Sequence, residues 1–270
     1  MKIKDSVVLI TGGASGIGRI MGRRALEMGA KSVAVWDINP TNLDEVVRAH
    51  SQLGTAKGYI VDVSDYEAVQ EAYRQTVADL GAVDILINNA GVVTTNKTFD
   101  QNTKQDIDRT LTINTMAPMY VAQAVLPDMI KRDHGHICNI ASAAGLLAVP
   151  RMSVYVASKW ATMGWSDSVW IELKSMKSHV HVTTMAPYFI NTGMFEGVKS
   201  WFFPILDPEK TAKRTLRAIE KNKRFKGMPF SFRFTRMMQG ILPMRGADWI
   251  FGELFGIYHA MDHFTGRKKQ

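Results

Sequence analysis

The chain of 270 residues has one cysteine, Cys138. An internal disulfide is thereby excluded, and with it the cross-linked framework of small secreted domains. Cys138 lies in the apolar run His136-Ile137-Cys138-Asn139-Ile140, so it reads as a buried strand residue rather than a reactive thiol. Such sparse use of cysteine suits a reducing compartment. Also missing is any apolar stretch of the roughly 18 residues that a membrane-spanning helix needs. At the start, Met1-Lys2-Ile3-Lys4-Asp5 leads into only Val7 to Thr11 before glycine, too short a run for a signal peptide. A soluble, cytoplasmic protein is expected, one that at most lies on a membrane. His134/His136 and His179/His181 alternate in or beside strands, so each pair is expected to point one way. Neither pair has cysteine or carboxylate partners at ligand spacing, and no metal is expected.

With 46% hydrophobic and 21% charged residues, the composition suits one well-buried domain, or one with an elaboration. The net charge of +8 is unevenly placed. Residues 1–198 hold 18 Lys+Arg against 19 Asp+Glu, and residues 199–270 hold 15 against 6. The second segment also carries 12 aromatics, including Trp201-Phe202-Phe203, Phe225, Phe230, Phe232 and Phe234. Basic residues interleaved with rings suit an anionic membrane surface better than nucleic acid. A solvated helix face with a hydrophobic substrate lid is the plainer reading. The chain is accordingly divided into residues 1–198 and an aromatic, basic C-terminal extension of the same domain, 199–270.

Apolar runs of strand length alternate with helical patterns. Strands are expected at Ser6–Thr11, Lys31–Asp37, Ala56–Asp62, Val83–Asn88, His136–Ser142 and His179–Met185. Helices are expected at Ile17–Met28, Asn42–Leu53, Tyr66–Leu80, Thr103–Ile113, Ala117–Arg132 and Val154–Met176. Continuously apolar strands between helices predict an α/β fold, a doubly wound parallel sheet covered on both faces.

Thr11-Gly12-Gly13-Ala14-Ser15-Gly16-Ile17-Gly18 joins the first strand to the first helix. Gly12, Gly16 and Gly18 let backbone turn tightly beside a pyrophosphate, and the helix start offers free N–H donors. Asp37 closes the second strand, where a carboxylate accepts from ribose hydroxyls and repels a 2′-phosphate, so NAD is favoured over NADP. Arg19 pulls the other way. Asp62-Val63 ends the third strand within reach of adenine, although Asp62 could equally cap the next helix. Asn88-Asn89-Ala90-Gly91 ends the fourth strand, with small residues suited to close passage beside adenosine.

Tyr155 and Lys159 stand four residues apart and so share a helix face. A phenol titrates near about 10, too high for a base at neutral pH, and a fixed ammonium beside it favours the phenolate. The pair supplies a proton-transfer residue and its tuning.

Taken together, Thr11-Gly12-x3-Gly16-x-Gly18, Asp62, Asn88-Asn89-Ala90-Gly91, Asn114, Ser142 and Tyr155-x3-Lys159 make residues 4–195 resemble the short-chain dehydrogenase/reductase family. The resemblance implies one doubly wound domain, commonly dimeric or tetrameric, that moves hydride between a nicotinamide and an alcohol or carbonyl. It implies Tyr155 as acid–base catalyst, Lys159 on the nicotinamide ribose, Ser142 on the substrate oxygen, and Asn114 holding a water that links Lys159 to solvent. Ser15 and Ile17 fall in the cofactor loop. Ile190 and Thr192 stand where the family holds the carboxamide. After the sixth strand the family has Pro-Gly, but here it is Pro187-Tyr188, and the bulky Tyr188 would line or narrow the substrate cleft. Met194 and Phe195 open the expected lid, continued by Trp201, Phe202 and Phe203.

Phe203–Glu209 and Leu254–Asp262 resemble a subgroup acting on retinoids and steroids, the epidermal-type retinol dehydrogenases and 17-beta-hydroxysteroid dehydrogenases of membranes and lipid droplets. Those typically carry a hydrophobic N-terminal segment, whereas this chain starts at the first strand. Oxidation of a lipophilic alcohol with NAD is therefore expected. Two alternatives stay open: the same chemistry on a small polar or acyl carbonyl, and a non-catalytic NAD-binding protein of lipid surfaces.

Overall fold

Every residue of Val7–Thr11 is buried, and this run forms β1. Such a pattern fits a central strand covered on both faces. The computed structural model describes residues 1–265. The last five residues of the expected 199–270 extension, Arg267, Lys268 and Lys269 among them, lie outside the described residues. Around β1 stand β2 (Ser32–Asp37), β3 (Thr55–Ile60), β4 (Ile85–Asn88), β5 (His136–Ile140), β6 (His181–Pro187) and β7 (Phe225–Met228). All pair in parallel, in the order β3-β2-β1-β4-β5-β6-β7. The order reverses between β1 and β4, the switch point at which such sheets open a crevice.

Alternation along each strand divides the core in two. From β1, Val8 and Ile10 join the layer under α1 (Gly16–Glu27), α2 (Pro40–Ser51) and α7 (Pro208–Glu220). Val7 and Leu9 join the layer under α3 (Tyr66–Leu80), α5 (Ala117–Arg132) and α6 (Ser153–Ser175). Cys138 is wholly buried, and burial pushes its thiol up, so it packs as a small apolar group.

Three expectations need correction. The sheet has a seventh strand, β7, inside the segment read as extension. Its sequence, Phe225-Lys226-Gly227-Met228, shows no continuous apolar run because an edge strand needs to bury only part of itself. The two helices expected at 103–132 are one path. A five-residue π-helical turn, Thr112–Met116, joins α4 (Lys104–Leu111) to α5. The histidine pair also splits: His136 is fully buried, its Nε2 2.8 Å from Thr183 Oγ1, whereas His134 precedes the strand and faces solvent. Beyond β7 the described residues include two short helices, α8 (Thr235–Ile241) and α9 (Met244–Asp248), and a π-helical turn, Trp249–Leu254. Among the described residues no helix is long and apolar enough to cross a membrane.

Candidate active site

The carboxyl ends of the strands bring the predicted residues to one edge. Gly12 and Gly16 hold positive φ, +60° and +52°, a region open to glycine at little cost. A Cβ on Gly18 would collide with the Gly12 carbonyl oxygen, and one on Gly12 would sit 2.9 Å from Ala90 Cα. Only glycines permit this approach. Asn89 Nδ2 donates to the carbonyls of Thr11 (3.0 Å) and Gly12 (2.9 Å). In return Thr11 Oγ1 accepts from the amides of Asn89 and Ala90 at 3.0 and 3.1 Å. Thr11, whose hydroxyl sequence reasoning passed over, thus fastens the loop to the end of β4. Helix α1 begins with no capping side chain and no acid in its first turn, leaving its amides free for an anion. Glycine cradle and free amides together fit the pyrophosphate of a dinucleotide.

Asp37, Asp62 and Val63 line one arm of the cleft with Trp36 and Ile38. Asp37 Oδ2 accepts from the Ala14 amide at 2.9 Å and Oδ1 from the Asn39 amide at 3.1 Å, so the carboxylate is fixed with acceptor capacity to spare. Asp62 does not cap α3. Asp65 does, through the Ala68 amide, while Asp62 Oδ1 holds Ser64. Arg109, Thr112 and Ile113 complete this arm and were not foreseen, because they reach it from α4 and the π turn.

Ser15, Ile17, Asn89, Ala90, Gly91, Ser142, Tyr155, Lys159, Pro187, Tyr188, Ile190, Thr192, Met194 and Phe195 line the other arm. Tyr155 and Lys159 do share a face of α6, with Lys159 Nζ 5.7 Å from the Tyr155 ring centre. Nζ donates to the Ile140 carbonyl at 3.1 Å. Burial drives Lys159 down to about 8, which still leaves it mostly protonated at neutral pH. Burial also pushes Tyr155 up to about 12, and a hydrogen bond with Ser142 works against that rise. Ser142 Oγ also accepts from the Ala144 amide at 3.1 Å, which fixes the turn after β5.

Asn114 sits in the π turn and is buried. Its Oδ1 accepts from the Val92 amide at 2.8 Å, and its Nδ2 donates to the Val92 carbonyl at 2.9 Å and to Ser158 Oγ at 3.1 Å. Its carbonyl accepts from Thr162 Oγ1 at 2.9 Å. In this geometry Asn114 clamps the chain after β4 against α6. A Cβ on Gly91 would stand 3.3 Å from Asn114 Oδ1 and 3.6 Å from Lys159 Nζ, so a side chain there would crowd both.

Behind Ser142 and Tyr155 opens a small apolar pocket walled by Leu147, Val149, Met152, Tyr188, Phe232 and Ile257, with Phe195 at its mouth. No charged side chain lines it. Tyr188 is nine-tenths buried, stacks on Phe232 (centroids 5.5 Å apart), meets Phe203 edge-on and donates to Ser200 Oγ at 3.1 Å. The expected lid divides. Met194 and Phe195 face the cleft, and Phe203 packs behind Tyr188. Trp201 and Phe202 turn outward toward Gly256 and Phe255. The end of the described chain lies across this lid: the Thr265 amide donates to the Glu196 carbonyl at 3.0 Å, and Asn96 Nδ2 to the Met261 carbonyl at 3.0 Å.

Comparison with known proteins shows the family. The family model described as short chain dehydrogenase matches residues 6–202. Mouse (Mus musculus) epidermal retinol dehydrogenase 2 is 35% identical over 274 aligned positions, covering 99% of this chain and 88% of that one. Human (Homo sapiens) estradiol 17-beta-dehydrogenase 11 is 34% identical, covering 90% of this chain and 81% of that one. Among solved structures, a short chain dehydrogenase/reductase from Burkholderia phymatum in complex with NAD superposes with a TM-score of 0.80 at 24% identity, covering 89% of this chain and 95% of that one. That likeness concerns the fold.

Proposed function

The chain belongs to the short chain dehydrogenase family, and from that premise we propose that it oxidises a lipophilic alcohol, retinol- or steroid-like, with NAD as cofactor and Tyr155 as acid–base residue. It is an oxidoreductase acting on CH–OH groups with a nicotinamide cofactor. The observation that carries the finer reading is the pocket behind Ser142 and Tyr155, walled by aliphatic and aromatic side chains without a charge. Two relatives named for retinol and estradiol dehydrogenation support the same substrate class.

In this reading Gly12, Gly16, Gly18 and the first amides of α1 hold the pyrophosphate, and Asp37 the adenosine ribose. Lys159 holds the nicotinamide ribose, with Ile190 and Thr192 at the carboxamide. When bound, the nicotinamide supplies the hydride acceptor. Ser142 donates to and orients the substrate oxygen, and Tyr155, as the phenolate, accepts from the substrate hydroxyl and takes its proton. The Lys159 charge, held on one helix face with the phenol, lowers the cost of the phenolate as that proton moves. Asn114 keeps Gly91, Val92 and α6 in register around it. Positioning and tuned proton transfer together supply the acceleration, the latter roughly 10²–10⁴-fold.

NAD is preferred to NADP because Asp37 would repel a 2′-phosphate. Since cellular NAD is mostly oxidised, the reaction runs toward the carbonyl. The protein acts as a homo-oligomer, as is common in the family. Residues 199–270 rest on a lipid surface, a reading supported by the exposed apolar side chains of Ile241, Met244 and Trp249.

The test is NADH formation by purified protein with retinol, steroid alcohols and short polar alcohols, with NAD and NADP in parallel. Turnover of retinol or a steroid with NAD is expected. Activity confined to short polar alcohols would discard the lipophilic assignment, and tight NADH binding without turnover of any alcohol would discard the enzymatic one.

A further inference from the structure

A recess of about 500 Å³ lies between the C-terminal half of α7 and the strand β7, on a side of the molecule that shares no lining residue with the cofactor cleft. Its walls carry five cations: Arg214 and Arg217 from α7, Lys221 and Lys223 from the turn, and the half-buried Lys226 from β7. No acid lines it, and among the described residues no ion pair joins any of the five to a carboxylate. Asp167 is held by Arg224 and Arg236, and Glu220 Oε1 accepts from the Ile3 amide at 3.5 Å.

The strand adds neutral donors. β6 takes the carbonyls of Arg224 and Met228 through the amides of Thr184 and Tyr188. By alternation the amides of Phe225 and Gly227 then point away from β6, to the free edge of the last strand. Both residues line the recess. Five like charges around one concavity repel each other, a cost that a multivalent anion removes. Arginine forks and strand amides match phosphoryl oxygens in geometry as well as charge.

We propose that this recess is a second anion site, separate from the cofactor cleft, which takes a ligand bearing two or more phosphoryl groups. The site stands whether or not the lipophilic-alcohol reading is right. Two sources offer this chemistry, a free polyphosphate ester and a phosphorylated lipid headgroup. Phe230 at the rim is exposed, which suits the lipid source.

The test uses the full chain with its cofactor cleft saturated by NADH, so that phosphate binding there is blocked. Calorimetry with soluble inositol trisphosphate should show binding that weakens as salt is raised. The double variant Lys221→Glu/Lys223→Glu, and separately Arg214→Gln/Arg217→Gln, should each weaken it by at least about tenfold, with NADH affinity unchanged. Sedimentation with phosphatidylcholine vesicles, with and without phosphatidylinositol bisphosphate, separates the sources. Capture that requires the phosphorylated lipid assigns the headgroup, and binding of the soluble ester without such capture assigns the free ligand. Absence of binding to ester and vesicle alike, or binding that both double variants retain, would overturn the proposal.

Discussion

On the cofactor side of the cleft the chain is fixed by hydrogen bonds from side chain to backbone, whereas on the substrate side it is fixed by ring against ring. Asn89, Thr11 and Asn114 each hold particular amides or carbonyls at 2.8–3.1 Å. Tyr188, Phe203 and Phe232 hold one another through stacked and tilted contacts at 4.8–5.5 Å between centroids. A directional bond tolerates one residue type at one place, while aromatic packing accepts several shapes of similar volume. The first arrangement keeps a common cofactor in one pose, and the second can be reshaped for a new substrate without disturbing the chemistry.

That contrast can be broken at four points. The largest effect is expected from Tyr155→Phe, which keeps the ring and removes the proton-transfer group. Turnover should fall by roughly 10²–10⁴-fold, while a fluorescence titration with NADH stays close to wild type. Near-normal turnover would end the assignment of Tyr155. Next is Phe232→Ala. Phe232 is 2% exposed, and its truncation should cost about 3–5 kcal/mol in denaturant unfolding and raise KM for a lipophilic alcohol. Were NADH affinity to fall in parallel, the two sides would not be independent.

Asp37→Ala should weaken NAD relative to NADP by about tenfold, as expected for a lost bond to a charged acceptor. An unchanged ratio from steady-state kinetics would remove Asp37 as selector. The smallest effect is on pH and stability. Lys159 titrates at about 8 in the folded protein against an ordinary 10.5. Below the lower value both folded and unfolded chains hold the proton. Between the two values the unfolded chain holds a proton that the folded one has released, so stability contributed by this group rises with pH. Lys159→Met should flatten that rise in thermal unfolding followed across the interval. A slope identical in both proteins would mean that the lysine is not desolvated as described.

Much of the cofactor side was legible because its signals are local. Gly12, Gly16 and Gly18 lie within one loop, Tyr155 and Lys159 within one helical turn or so, and strands buried on both faces announce themselves as apolar runs. The substrate wall is assembled from distant pieces. Phe232 and Ile257, which follow β7 in the chain, meet Leu147 and Met152 in one pocket. β7 itself was hidden by Lys226 and Gly227, which interrupt its apolar pattern. Composition could say that 199–270 is aromatic, but not that Phe203 turns inward while Trp201, 71% exposed, turns out. Nor could spacing show that burial pushes the Tyr155 phenol up.

The π turn at Thr112–Met116 carries a consequence for how relatives of this chain should be compared. Each residue advances an α-helix by about 100°. Removing any one of the other residues of the turn would rewind it to α and swing the Asn114 amide off Val92, with Asn114 itself unchanged. At this place the site is recorded in a length rather than in a letter, and a one-residue gap in an aligned sequence outweighs most substitutions.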